Sequence, residues 1–144
     1  MTENIKSCKS RLLILVPVHN AKKTIVRALN SVKALKVDTF VLLVDDGSSD
    51  GTPELLKSKN IVTLYDKAIF LSQSYGVSHA RNVGIDWASK FNFKFLTFLD
   101  SDDHFISSEL KLPRRNHKSS LQIYDSFETL DSYENYREYK SFIK

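Results

Sequence analysis

The sequence predicts an α/β fold built on a parallel sheet, and three features carry that prediction. Apolar runs of strand length recur at Leu12–Val16, Phe40–Val44 and Phe95–Leu99. Each is almost continuously apolar rather than alternating, the mark of a strand covered on both faces. Segments with helical spacing separate the runs, and a strand–helix–strand order of this kind closes through crossovers that lay helices on the sheet.

Taken in order, RLLILVPVHN is a buried strand from Leu12, expected to break at Pro17. AKKTIVRALNSVKAL follows as a helix whose Ile25, Ala28, Leu29, Val32 and Leu35 share one face, with Asn20 as its N-cap. FVLLVDDG is the second strand, turned at Gly47. SDGTPELLKSK is a short helix with Thr52 as cap and Pro53 in its first turn. IVTLYDK, from Ile61, reads as the third strand. SYGVSHARNVGIDWASK reads as a helix with an apolar band of Val77, Ala80, Val83, Gly84, Trp87 and Ala88. FKFLTFLD is the fourth strand. After Asp103 the pattern decays: SSELKL suggests a helical turn or two before Pro113, RRNHK a basic loop, and Leu121–Ile143 a loose amphipathic helix. The expected organisation is an N-terminal extension over 1–10, an ordered unit over 11–104, and a divergent, poorly packed or partly disordered tail over 105–144.

A chain of 144 residues has room for one modest domain. Its 42% hydrophobic content is that of a globular protein. The net charge of +4 suits an anionic ligand or a membrane surface without demanding either, and no nucleic-acid partner is expected. Cys8 is the single cysteine, which excludes a disulfide framework and a cysteine metal site and fits a reducing compartment. No signal peptide or membrane-spanning run is read, so a cytoplasmic location is expected, extending to the cytoplasmic face of the membrane.

The chemistry gathers at the strand ends. Strand one ends in Pro17-Val18-His19-Asn20, strand two in Asp45-Asp46-Gly47-Ser48, and strand four in Asp100-Ser101-Asp102-Asp103. A parallel sheet brings these ends to one edge, where ligands of such folds bind. Carboxylates there accept a hydrogen bond from a base N–H or hold a divalent cation, which neutralises a diphosphate leaving group. Taken singly, each motif is an ordinary turn, helix entry or solvated loop. Their joint occurrence in this order is what points to a nucleotide. No Gly-x-Gly-x-x-Gly follows strand one and no Gly-Lys-Ser/Thr loop exists, which excludes dinucleotide and P-loop signatures. A signalling receiver domain would place its acidic pair after the first strand, where Pro-Val-His-Asn stands instead.

With ILVPVHNAKKTIVRALNSV, VLLVDDGSSDGT, GVSHARNVGIDWA and FLTFLDSDD in place, the chain resembles the amino-terminal half of a family 2 glycosyltransferase over about residues 11 to 104. The resemblance implies a GT-A, Rossmann-like parallel sheet with helices on both faces, incomplete at the C-terminus. It implies that Pro17, Val18 and His19 lie against the nucleotide base, with His19 where many members carry an aromatic residue. It implies that Asp45 and Asp46 hold uracil and ribose, and that Arg81 and Asn82 line the nucleotide-sugar cleft. Asp100, Ser101 and Asp102 match the Asp-x-Asp motif, which implies Mg²⁺ or Mn²⁺ held by Asp102 with Asp100 and Asp103.

The implied function is inverting transfer of a sugar from a nucleotide diphosphate sugar, with UDP as the expected nucleotide. The acceptor would be a saccharide or lipid-linked, in cell-surface polysaccharide or lipooligosaccharide assembly, with peripheral membrane association in keeping. There are departures. Members usually carry an asparagine and a glycine just before the third helix; Ser74 and Tyr75 stand there and Gly76 is retained. No acidic catalytic motif and no Gln-x-x-Arg-Trp motif follows, so no general base is nominated, and the alternative is a donor-binding fragment without turnover.

Overall fold

The computed structural model describes residues 12–106, 108 and 110, and the backbone of a strand at Gln122–Tyr124. Five parallel strands form one sheet: β1 (Leu12–Val18), β2 (Thr39–Asp45), β3 (Lys67–Phe70), β4 (Phe95–Phe98) and β5 (Gln122–Tyr124). Their spatial order is β3-β2-β1-β4-β5. The chain therefore winds outward from β1 in one direction, then returns to its other side, and the strand order reverses between β1 and β4.

β1 lies at the centre and every residue in it is buried. Its side chains alternate between two cores. Leu12, Ile14, Val16 and Val18 pack with Ile25, Ala28, Leu29 and Val32 of α1 (Ile25–Lys33) and with Leu56 of α2 (Thr52–Leu56). Leu13 and Leu15 pack on the opposite face with Ala80, Ile85 and Ala88 of α3 (Val77–Ala88). Burying six large aliphatic side chains on one strand contributes roughly 10 kcal/mol of transfer free energy before chain entropy is charged. That explains the continuous apolar run, since both faces of β1 are interior.

The strand runs through Pro17 instead of breaking there. Successive residues of a strand direct their backbone groups to opposite neighbours. The Leu15 carbonyl accepts from Leu99 on the β4 side and the Val18 carbonyl accepts from Asp46 on the β2 side. Pro17 shares the Leu15 orientation, beyond the last β1–β4 pair at Leu15↔Phe98. Its missing N–H falls where there is no strand to receive it. β1 and β4 part company at that point, and the fork opens a cleft.

Other expectations shift. The residues read as the third strand form a short 3₁₀ turn, Val62–Leu64, and β3 starts later, at Lys67. The cause is Asp66: its N–H donates to the Val41 carbonyl and its carboxylate accepts the Val41 N–H, so the chain docks on β2 only from there. Ile61 is buried from the turn, which accounts for the apolar signal. Asn20 does not cap α1. A turn intervenes, with Thr24 and Ile25 N–H both donating to the Ala21 carbonyl, and Thr24 is the N-cap. Nor does Thr52 cap α2; Gly51 precedes the helix in a left-handed conformation, and Thr52 Oγ1 bridges the Ala21 N–H to Asp50. In α3, Val77 is half-exposed and Ile85 replaces it in the band. Gln122–Tyr124, within the helix read over Leu121–Ile143, form β5 instead. Ser108 and Leu110, from the turn read over SSELKL, are non-helical; the rest of that stretch, RRNHK and the remainder of the tail lie outside the described residues.

Candidate functional site

At the fork between β1 and β4 lies a cleft of about 540 Å³. Pro17, Val18, His19 and Asn20 form one wall, and Ala21 and Thr24 extend it. Asp46 lies at its base. Ser74, Gly76, Val77, Ala80 and Arg81 form the second wall, and Asp100, Ser101 and Asp102 close it from the end of β4. Eight sequence-predicted residues thus meet in one cleft: Pro17, Val18, His19, Asp46, Arg81, Asp100, Ser101 and Asp102. Asp45, Asn82 and Asp103 lie outside its lining.

Asp46 organises this edge of the sheet. The residue is 2% exposed, and its Oδ1 accepts the Tyr75 N–H at 2.9 Å. Oδ2 accepts the Ser74 hydroxyl at 2.7 Å and the Gly76 N–H at 2.8 Å. Burial pushes this carboxyl up, but those hydrogen bonds outweigh it, and the net displacement is below its ordinary value. The Asp46 carbonyl meanwhile accepts from His19 Nδ1 at 2.8 Å. One residue therefore joins the loops after β1, β2 and β3.

The tautomer of His19 follows from its partners. A carbonyl can only accept, so Nδ1 carries the proton. Asn20 Oδ1 accepts the Ser49 N–H, so its amide nitrogen is the group 3.2 Å from His19 Nε2, which must accept. Both ring nitrogens are engaged and the ring faces are left for a ligand. Asn20 adopts a left-handed conformation with φ 49°, which asparagine tolerates, and its own N–H donates to Ser48 Oγ. Asp45 is buried and accepts from both the Ser48 N–H and its hydroxyl, so it shapes the loop from beneath. Gly47 completes the clasp: a Cβ there would stand 2.4 Å from the Gln73 carbonyl carbon, in backbone that cannot yield.

The far wall is charged. Arg81 Nη2 lies 2.7 Å from Asp100 Oδ1, and its guanidinium sits over the Phe98 ring, 5.0 Å from the centroid. Asp103 N–H donates to the Asp100 carbonyl, and Arg27 Nη2 donates to the Asp102 carbonyl at 2.7 Å, so the acidic turn is fixed through its backbone. The Asp102 carboxylate is exposed and makes no hydrogen bond or ion pair among the described residues. No group of three or more His, Cys, Asp or Glu side chains converges as a metal site among the described residues. The donors present are all carboxylate oxygens, which suit hard cations, and one or two carboxylates with substrate phosphates are how Mg²⁺ is commonly bound. Asp102, with Asp100 beside it, fits such an ion.

Sequence reasoning named Ser74 as a departure and Gly76 as retained without nominating either for the site, and it passed over Arg27. Gly76 carried a signal in being a glycine just ahead of a helix, and its φ of 94° with extended ψ is open to glycine alone. Arg27 carried none, as its bond to Asp102 spans 75 residues.

A cleft at the reversal of strand order, walled by a helix start, an arginine and strand-end carboxylates, is the ligand site of an open α/β sheet. Comparison with known proteins gives the family. The Glycosyl transferase family 2 model matches residues 13–112, and the chain belongs to that family. It is 35% identical over 103 residues to the minor teichoic acid biosynthesis protein GgaA of Bacillus subtilis, covering 68% of this chain and 23% of that one. It is also 35% identical over 103 residues to WfgD of Escherichia coli, a UDP-Glc:alpha-D-GlcNAc-diphosphoundecaprenol beta-1,3-glucosyltransferase, covering 69% of this chain and 38% of that one. S. aureus TarS residues 1–349 in complex with UDP superpose with a TM-score of 0.59 at 28% identity, over 69% of this chain and 29% of that one. The mannosyltransferase PcManGT of Pyrobaculum calidifontis, in complex with GDP-Man and Mn²⁺, superposes at 0.60 over 68% of this chain and 29% of that one; at 21% identity it bears on the fold alone. The fold is GT-A. The chain spans well under half the length of these curated relatives.

Proposed function

We propose that this chain forms the donor-nucleotide half of an inverting glycosyltransferase that uses a UDP-sugar. The observation that carries the proposal is the convergence of eight motif residues on one cleft at the β1/β4 fork. Seven of the eight have an assigned task there. Pro17, Val18 and the satisfied ring of His19 present a flat surface to the base. Asp46 Oδ1 accepts one N–H internally and keeps a lone pair for another donor. The start of α3 and the Arg81 guanidinium supply positive potential for a diphosphate. Asp102 and Asp100, with Asp103 adjacent, would hold Mg²⁺ or Mn²⁺, which when bound neutralises charge on the departing diphosphate.

In an inverting displacement the acceptor hydroxyl attacks the anomeric carbon opposite the leaving group. The bond to the diphosphate oxygen breaks with its electron pair, and the hydroxyl proton passes to a general base. Neither Asp46, held by Ser74, Tyr75 and Gly76, nor Asp100, paired with Arg81, is placed for that proton. TarS was solved with UDP and with UDP-GlcNAc, which supports a uridine donor. The names of GgaA, a minor teichoic acid biosynthesis protein, and WfgD, which acts on GlcNAc-diphosphoundecaprenol, support a saccharide or lipid-linked acceptor. The net charge of +4 suits work at the cytoplasmic face of a membrane.

Titration calorimetry with UDP tests this. Binding is expected to strengthen in Mn²⁺, and Asp102→Asn to lose that strengthening by at least about tenfold while its melting temperature is retained. Mn²⁺-dependent affinity that survives in Asp102→Asn removes the metal assignment; absence of UDP binding removes the donor reading.

A further inference from the structure

We propose that Arg81 is the resident counter-cation of Asp100, and that it yields this carboxylate to a divalent cation when a nucleoside diphosphate draws the guanidinium away. The inference rests on the donor-nucleotide reading of the cleft and gives that site its order of assembly.

The ion pair is close, 2.7 Å, and unequally exposed: the Arg81 side chain is 22% exposed and that of Asp100 49%. The guanidinium rests on the Phe98 ring, so its position is set by an apolar surface as well as by charge. Its Nε–H is enclosed and has no acceptor among the described residues. A rigid fork of five donors that leaves an enclosed N–H unmet is not in its best-satisfied arrangement. A diphosphate is the acceptor class that fits such a fork in two-point contact, and both Arg81 and the start of α3 face the cleft where it would lie.

The carboxylate side is constructed for exchange. Arg27 and the Asp100–Asp103 turn bond hold the acidic loop through its backbone, so only side-chain pairing must change when a cation arrives. A cation on Asp100 with Arg81 still attached would bring two like charges into near contact. Without nucleotide, Arg81 and the cation therefore compete for Asp100. With a diphosphate present, its negative charge gives Arg81 another partner and supplies the cation with further oxygens. Binding linkage then requires each ligand to raise the affinity of the other by the same factor, and Arg81 supplies part of that factor.

Mn²⁺ binding to the full chain, read from the free-ion signal in electron paramagnetic resonance, tests this with and without saturating UDP. Arg81→Gln is expected to bind Mn²⁺ alone up to about fivefold more tightly than the unaltered protein, the range for releasing a partly exposed ion pair. With UDP the two proteins should converge, so the coupling factor falls in the variant. Phe98→Leu removes the ring under the guanidinium without touching either charge and should shift Mn²⁺ affinity in the same direction, less strongly. A purely structural Arg81 would lower the melting temperature and leave Mn²⁺ affinity where it was. Mn²⁺ affinity unchanged or weakened in Arg81→Gln, in a protein that still binds UDP, overturns the inference alone. A chain that binds no UDP, with or without Mn²⁺, overturns the donor reading and this inference with it.

Discussion

Asp46→Asn is the sharpest probe of how the cleft is held together. Asparagine preserves the shape but offers one acceptor oxygen where the carboxylate offers two. If that oxygen keeps the Tyr75 N–H, the new amide nitrogen faces the Gly76 N–H, donor against donor. The Ser74 hydroxyl can rotate to accept, so one charge-assisted bond is lost outright and one N–H is left unmet. At this depth of burial the loss comes to about 2–4 kcal/mol. The pH dependence has a definite sign. The folded-state pKa of Asp46 is lowered, so its contribution is present above the unfolded value, near 3.9, and disappears as pH falls through the folded value. Asp46→Asn should therefore be less stable at pH 7 and should lose part of the acid-induced decline below about pH 4. Guanidinium unfolding followed by the fluorescence of Trp87, the single tryptophan, measures both. A cost under about 0.5 kcal/mol at pH 7, the level of an ordinary surface change, would refute the clasp, as would an acid limb identical to that of the unaltered protein.

Two glycines extend the argument from the clasp to the frame. Gly84→Val should cost about 1–3 kcal/mol, because even a Cβ would reach 2.1 Å from Leu15 Cδ1 and 2.8 Å from Cγ. It should also weaken UDP binding, since α3 carries Ala80 and Arg81 into the cleft, and thermal melts beside calorimetry read the two effects separately. Gly47→Ala should cost upward of about 2 kcal/mol, combining a left-handed φ of 63° with a Cβ placed 2.6 Å from the Ser74 nitrogen. A melting temperature within a degree of the unaltered protein would sink that claim.

The central strands and the long helices were legible because burial on both sides leaves an unambiguous apolar record. β1, β2 and β4 and the buried face of α1 follow from it almost residue by residue. The third strand was misplaced because Ile61, Val62 and Leu64 are as apolar as a strand, while the docking onto β2 is decided by a polar residue, Asp66. Pro17 was read by its general dislike of strands. Its tolerance depends on which neighbour its nitrogen would face, and that is a property of sheet order that no local window contains. Asn20 has the composition of a helix cap, and its side chain is spent instead on a loop 29 residues away.

The strand-end carboxylates divide their labour by burial. A buried carboxylate must have its oxygens met, because leaving them unmet costs more than a domain of this size can absorb. Asp45 and Asp46 obey that demand with five hydrogen bonds between them, and the Ser74–Gly76 segment that supplies three of them becomes part of one cleft wall. Asp100 and Asp102 stand in water and are under no such obligation. Asp100 has nevertheless acquired an arginine, while the Asp102 carboxylate keeps only solvent among the described residues. Four acids that look interchangeable in the sequence thus separate into two whose side chains hold the loops together and two whose side chains are left partly or wholly to solvent. Between the latter, the presence of Arg81 makes Asp102 the residue at which a cation meets the least competition.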